Sequence, residues 1–110
     1  MNLFLRLFKP KNENSKAYRR MKSRGYHGKA LKYVTEITDS GDVVIGKDGD
    51  IVVKDGSLSV SCGGKLLFKC GEDEVTCGDL MSLDGVVITG LDFVSGTNRS
   101  IIAYFKYYRK

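Results

Sequence analysis

From Leu31 onward apolar and polar residues alternate with a period of two, which is the pattern of strands with one buried face. Leu31, Tyr33 and Thr35 alternate with Lys32, Val34 and Glu36. Asp39-Ser40-Gly41-Asp42 is a turn cluster, VVIG (43–46) a short strand, Lys47-Asp48-Gly49 a hairpin turn of the Asp-Gly type, and DIVVK (50–54) the returning strand. After Asp55-Gly56, SLSVSC (57–62) turns Leu58, Val60 and Cys62 inward and its three serines outward. Gly63-Gly64 leads into KLLFKC (65–70), with Leu66, Phe68 and Cys70 on one face. GEDE (71–74) is an acidic turn, VTC (75–77) begins a strand, LMSLDG (80–85) turns the chain, and VVITGLDFV (86–94) is an apolar strand. SGTNRS (95–100) is a loop before the last strand, IIAYFKYY (101–108). Spacings of about 8–12 residues leave no room for parallel crossovers. The pattern predicts an all-β fold: a small antiparallel meander forming a sandwich, roll or barrel of about eight short strands.

The first 28 residues follow a helical period instead. Leu3, Phe4, Leu7 and Phe8 share one face of a helix that Arg6, Lys9 and Lys11 flank. Pro10 stops that helix after about two turns, too short to be stable alone in water. KNENS (11–15) reads as a linker, and Ser15 can cap a short basic helix over 16–23 that Gly25 ends. Its only apolar members are Tyr18 and Met21, so it has almost no core-facing stripe. The predicted organisation is a basic amphipathic arm, 1–28, and an antiparallel β domain, 29–110.

Composition fits this division. The 110 residues, 42% of them hydrophobic, suffice for one core, and thirteen Gly with a single Pro favour tight turns over helices. The charge is split: residues 1–33 carry a net +9 and residues 34–100 a net −7, within a total of +5. A basic leader before an acidic body suggests an element that seeks a negative surface. No apolar run approaches the roughly 20 residues of a membrane span, and Met1 to Lys11 lacks the form of a secretory signal. The expected location is cytoplasmic, with peripheral attachment to a membrane compatible. Three cysteines, Cys62, Cys70 and Cys77, are an odd number and read as reduced thiols.

Candidate chemistry is sparse. The C-x7-C-x6-C spacing does not resemble a zinc site, and each cysteine shares the parity of its apolar neighbours, as a small buried hydrophobe would. His27, the single histidine, has no acid nearby in sequence to orient it and reads as a surface-loop residue. Nucleophile-elbow and phosphate-loop motifs are absent, and Glu72, Asp73 and Glu74 read as a solvated acidic turn. The expectation is a non-enzymatic protein with no catalytic, metal or cofactor residues and no small-molecule substrate. The basic arm has three readings. Leu3, Phe4, Leu7 and Phe8 can enter a membrane interface while Arg6, Lys9 and Lys11 meet anionic headgroups. Arg19, Arg20, Lys22 and Arg24 can contact an anionic ligand such as RNA or DNA, with Tyr18 or Tyr26 stacking. The same residues can instead dock the arm on the β domain or on a protein partner. The aromatic and basic end, Tyr104 to Lys110, carries the same ambiguity between a binding strip and a half-buried strand.

The stretch from Gly49 to Gly90 resembles the YabP/YqfC family of small sporulation proteins. The likeness lies in short strands punctuated by Gly, an alternating pair at Leu58–Val60 and Lys65–Phe68, and an apolar strand closed by Gly at Val86-Val87-Ile88-Thr89-Gly90. The terminal strand Ile101–Tyr108 corresponds to that family's last strand. The three cysteines, the SGTNRS insertion and the Tyr-rich end depart from the pattern. The resemblance implies a non-enzymatic protein acting at a membrane with a membrane-protein partner, and offers no catalytic residues to carry over. Together these readings predict a binding or assembly protein recruited by its basic arm to an anionic membrane surface or a protein partner, with self-association through sheet edges. The alternative is a nucleic-acid-binding module using the arm and the C-terminal Tyr/Lys strand.

Overall fold

The computed structural model describes residues 16–106. A helix, α1 (Lys16–Arg24), precedes seven strands: β1 (Ala30–Thr38), β2 (Gly41–Lys54), β3 (Ser57–Cys62), β4 (Lys65–Gly71), β5 (Thr76–Asp79), β6 (Gly85–Asp92) and β7 (Thr97–Phe105). They form one antiparallel sheet in the order β4-β3-β2-β1-β7-β6-β5, so the all-β expectation holds, with seven strands curled into a half-barrel.

The curl follows from connectivity. β4 and β5 are the two outer strands, yet only residues 72–75 join them. In a flat sheet the edges would lie about 29 Å apart, six spacings of roughly 4.8 Å. The link from Gly71 to Thr76 spans at most about 18 Å when fully extended. The sheet must bend until its edges approach, and β4 accordingly faces β6 across the interior. The Phe93 N–H donates to the Lys69 carbonyl at 2.8 Å, and a Cβ on Gly90 would lie 2.7 Å from Cys70 Sγ.

β2 is the bent strand that makes the corner. Its first part pairs with β1 from Gly41 to Asp50, and its last part pairs with β3 from Gly49 onward. The expected hairpin at Lys47-Asp48-Gly49 is therefore not a reversal. Asp48 does take a positive φ of 56°, but the chain continues in the same direction. At Gly49 a Cβ would fall 2.0 Å from the Ser61 carbonyl oxygen, so only glycine lets β3 approach this closely.

β3 alternates as predicted, with Leu58, Val60 and Cys62 buried. Two bulges change the phase elsewhere. The β1–β7 register shifts between Leu31 and Tyr33, so Val34 rather than Tyr33 joins Leu31 in the core, and Tyr33 packs on Tyr104 with ring centroids 4.7 Å apart and planes tilted by 37°. The β3–β4 register shifts between Val60 and Ser61, which puts Leu67 inside and leaves Leu66 exposed. The core comprises Leu31, Val34, Ile51, Leu58, Val60, Phe68, Val86, Ile88, Ile101 and Ala103, with Cys70 among them.

Candidate functional site

α1 forms from good helix formers, and its last turn carries Lys22 and Arg24, favourable beside the negative end of the helix dipole. Its one buried residue is Ser23. The Ser23 hydroxyl lies 3.0 Å from the Glu72 carbonyl oxygen and 3.1 Å from that of Arg20. The Arg24 guanidinium grips the Glu72 carboxylate with two bonds of 2.8 and 3.0 Å. Lys22 lies 3.4 Å from Asp79, whose other oxygen accepts the Tyr26 hydroxyl at 2.5 Å. The helix is thus fastened to the β4–β5 and β5 region by polar contacts, as its missing apolar stripe requires.

After the helix, residues 27–29 run beside β2. The Gly28 N–H donates to the Ile51 carbonyl at 2.8 Å, and the Ile51 N–H to that of Lys29 at 3.1 Å. The Val53 N–H donates to His27 Nδ1 at 2.8 Å. His27 is in an exposed loop as expected, but its Nδ1 caps a strand amide. The sequence carries no signal for that contact.

Between α1, the β5–β6 loop and the end of β7 lies an open groove of about 580 Å³. Tyr26 and Phe105 form its floor, with rings 6.4 Å apart and inclined by 29°. Lys22 Nζ stands 5.8 Å from the Tyr26 ring and Lys29 Nζ 5.2 Å from that of Phe105. Met21 and Leu83 form the lips, each almost two-thirds exposed, and Met81 on the same loop is fully exposed. Leu83 holds a φ of 63°, a left-handed conformation uncommon for a leucine.

The groove's titratable groups are set by their neighbours. The hydrogen bond from Arg24 lowers the Glu72 pKa, and the Tyr26 hydroxyl, helped by Lys22, lowers that of Asp79. Burial, then Asp79, raises the Tyr26 phenol. Burial also raises the Cys62 and Cys70 thiols and pushes Cys77 up to about 12, so all three remain protonated at neutral pH. Among the described residues no group of three or more His, Cys, Asp and Glu is placed to hold a metal ion.

A second charged cluster lies toward the opposite end of the sheet. Arg99 makes bonds of 2.8 and 2.9 Å to Glu36, 2.7 Å to Asp92 and 2.9 Å to the Leu67 carbonyl. Asp92 is fully buried and also accepts the N–H groups of Lys69, Val94 and Ser95. Burial works against its charged form, but these bonds outweigh that and hold its pKa down at about 2. This cluster clips β4 to β6 and β7.

Of the candidate anion contacts, Lys22 and Arg24 face Asp79 and Glu72, while Arg19 and Arg20 lie half-buried on the same helix. Leu3, Phe4, Arg6, Leu7, Phe8, Lys9 and Lys11 lie outside the described residues, as does the chain end from Tyr107. Within the aromatic end, Phe105 belongs to the groove floor and Tyr104 to the outer face. Glu72, expected in a solvated turn, is instead buried against α1. The sequence reading also missed Arg99 and Asp92. Both continue the inward parity of their strands, Asp92 after Val86 and Ile88, and Arg99 before Ile101 and Ala103.

No helix among the described residues is long and apolar enough to cross a membrane. Searches against family models, curated proteins and solved structures return no match.

Proposed function

We propose that this protein is a non-enzymatic binding module that docks on an anionic membrane surface, its groove face turned toward the headgroups and its basic N-terminal arm assisting recruitment. The observation that carries this reading is the pairing of protruding apolar side chains with lysines at one mouth. Met21, Met81 and Leu83 project into solvent beside Lys22 and Lys29. Apolar tips that enter the interface beside Lys29 and the Asp79-paired Lys22, each cation worth about 1 kcal/mol near an acidic leaflet, are the chemistry of peripheral attachment. The unusual backbone at Leu83 supports the same reading, because it holds an apolar side chain outward where burial would be favoured. The resemblance to the YabP/YqfC family points to the same kind of role. A non-catalytic assignment is supported by the engaged state of the polar groups: His27 Nδ1 accepts a backbone amide, Glu72 and Asp79 fasten the helix, and the thiols are held protonated.

Flotation with phosphatidylserine-containing vesicles tests this. The full chain should float with these vesicles and not with phosphatidylcholine alone. Met81→Ser with Leu83→Ser should reduce the floated fraction severalfold, and deleting residues 1–11 should reduce it further. Flotation that ignores the loop substitutions overturns the assignment of this face. Absence of flotation, combined with salt-sensitive retention of RNA that Arg19/Arg20→Ala weakens, would establish the nucleic-acid alternative.

A further inference from the structure

We infer that, away from any membrane, the apolar face of residues 3–8 is stored on the outer face of the sheet, across β1, β7 and β6 of the same chain. Residues directly opposite each other in a sheet share a face. Tyr33 opposes Tyr104, Thr35 opposes both Ile102 and Val44, and Ile102 opposes Val87. The neighbouring register, Val34 with Ala103 and Val86, belongs to the core, so the former side chains point out of the half-barrel. The strip they form is nevertheless apolar and partly dry. Ile102 is buried although it lies outside the core cluster, and Thr35 Oγ1 is buried with no hydrogen-bond partner among the described residues. Val44 is about half exposed, as is Ile37 at the end of the strip.

The same sheet shows how a wetted outer face is built. On β3 the outward positions are Ser57, Ser59 and Ser61. Antiparallel sheets with one solvated face put polar residues there, whereas a strand covered on both faces is apolar on both, as Ile101-Ile102-Ala103-Tyr104-Phe105 is. β7 has the composition of a strand that is covered from outside as well as inside.

Size and charge select the cover. From Val44 on β2 to Val87 on β6 the strip crosses three strand spacings, about 14 Å, and from Tyr33 to Ile37 it runs about 13 Å. A second copy would need roughly 800 Å² per partner, several times this footprint. A two-turn helix, about 11 Å long and about 10 Å wide, fits it. Leu3, Phe4, Leu7 and Phe8 make one face of such a helix, which is too short to hold in water without a surface. Two acids flank the strip: Asp42 opposes Ile37, and Asp84 precedes Gly85, which opposes Tyr104. Burial, then Tyr33, Asp42 and Asp84, raise the Tyr104 phenol. These acids suit Arg6, Lys9 and Lys11 and disfavour an anionic leaflet; Lys47, opposite Tyr33, is the strip's cation. The groove offers Lys22 and Lys29 instead, which repel a basic segment. Residues 9–15 extend up to about 24 Å from Lys16. Tyr18 lines the groove together with Phe105 and Leu83, the chain neighbours of Tyr104 and Asp84, so the strip is within reach.

A nitroxide spin label read by amide NMR tests this on the full chain without lipid. Asn2→Cys gives a labelling site beside Leu3, while Cys62 and Cys70 are buried and burial holds the native thiols protonated at neutral pH. With the label oxidised, the amides of Tyr33, Thr35, Val87 and Ile102 should lose most of their intensity, and those of Ser57, Ser59 and Ser61 should keep theirs. Leu7→Ser with Phe8→Ser should restore the lost signals, as should D42K with D84K, whose fold circular dichroism checks. Absence of broadening on the strip, broadening at residues 21–29 and 80–83 instead, or broadening that either pair of substitutions leaves intact would each overturn the proposal. So would broadening of an isotope-enriched unlabelled chain mixed with a spin-labelled chain of natural abundance, because the segment would then lie on a second copy. Flotation with phosphatidylserine vesicles does not enter this readout, so the storage of the arm and the membrane docking of the groove face can fail separately.

Discussion

Toward one end of the curled sheet Arg99, its side chain 13% exposed, joins Glu36 to Asp92; at the other, Arg24, 60% exposed, holds Glu72. The chemistry is the same, a guanidinium with two bonds to a carboxylate, but the surroundings give it different weight. Around Arg99 water is excluded and Asp92 is satisfied by backbone donors, so removing one partner strands a buried charge. Around Arg24 solvent reaches the guanidinium while Glu72 itself is buried, so the pair is screened from one side and contributes less than a fully enclosed one. The first end is locked from within, and the second is covered by a helix held by polar contacts.

The largest effect should follow Arg99→Met. It leaves Asp92 buried without its counter-charge, and the expected loss is about 3–5 kcal/mol, read as a lower urea midpoint. Arg24→Met should lower that midpoint less, because solvent reaches one side of the Glu72 pair. Equal shifts for the two variants would erase the distinction between the ends.

Acid should act next. An unfolded Asp titrates near about 3.9, whereas Asp92 keeps its charge down to about 2. A depressed folded pKa stabilises above the unfolded value and is lost as the pH falls through the folded one. Asp92 therefore contributes on the order of 2 kcal/mol at neutral pH, lost between about pH 4 and pH 2. Glu72 and Asp79, also lowered, act with the same sign. Urea unfolding measured across this range should steepen with acid in the wild type and flatten in Asp92→Asn.

The smallest effect should be local. Glu72→Gln removes the charge that Arg24 holds, and amide exchange at 23–26 should accelerate while the β1 and β7 amides keep their protection. Faster exchange throughout the sheet would mean that α1 belongs to the core after all.

Much of this architecture was legible. β3 reads directly from SLSVSC, because a strand with one wet face and one dry face prints its alternation on the sequence. β2 was misread for a definite reason. Lys47-Asp48-Gly49 has the chemistry of a hairpin turn, and Asp48 does adopt the positive φ such a turn needs. Whether the chain then reverses depends on β3 and β1 lying on either side, which no local pattern encodes. Bulges hid Val34 and Leu67, since one extra residue changes the phase of all that follow. The groove was half legible: the basic character of α1 was evident, but its partners Glu72 and Asp79 lie 48 and 57 residues away in sequence.

The four residues between β4 and β5 join two functions in one place. They draw the outer strands together, and through Glu72 they anchor the helix. Lifting α1 therefore tugs on the same tether that sets how tightly the sheet is rolled. Cover and curvature form a single lever, so a surface that pulls the helix aside would also loosen the roll beneath it.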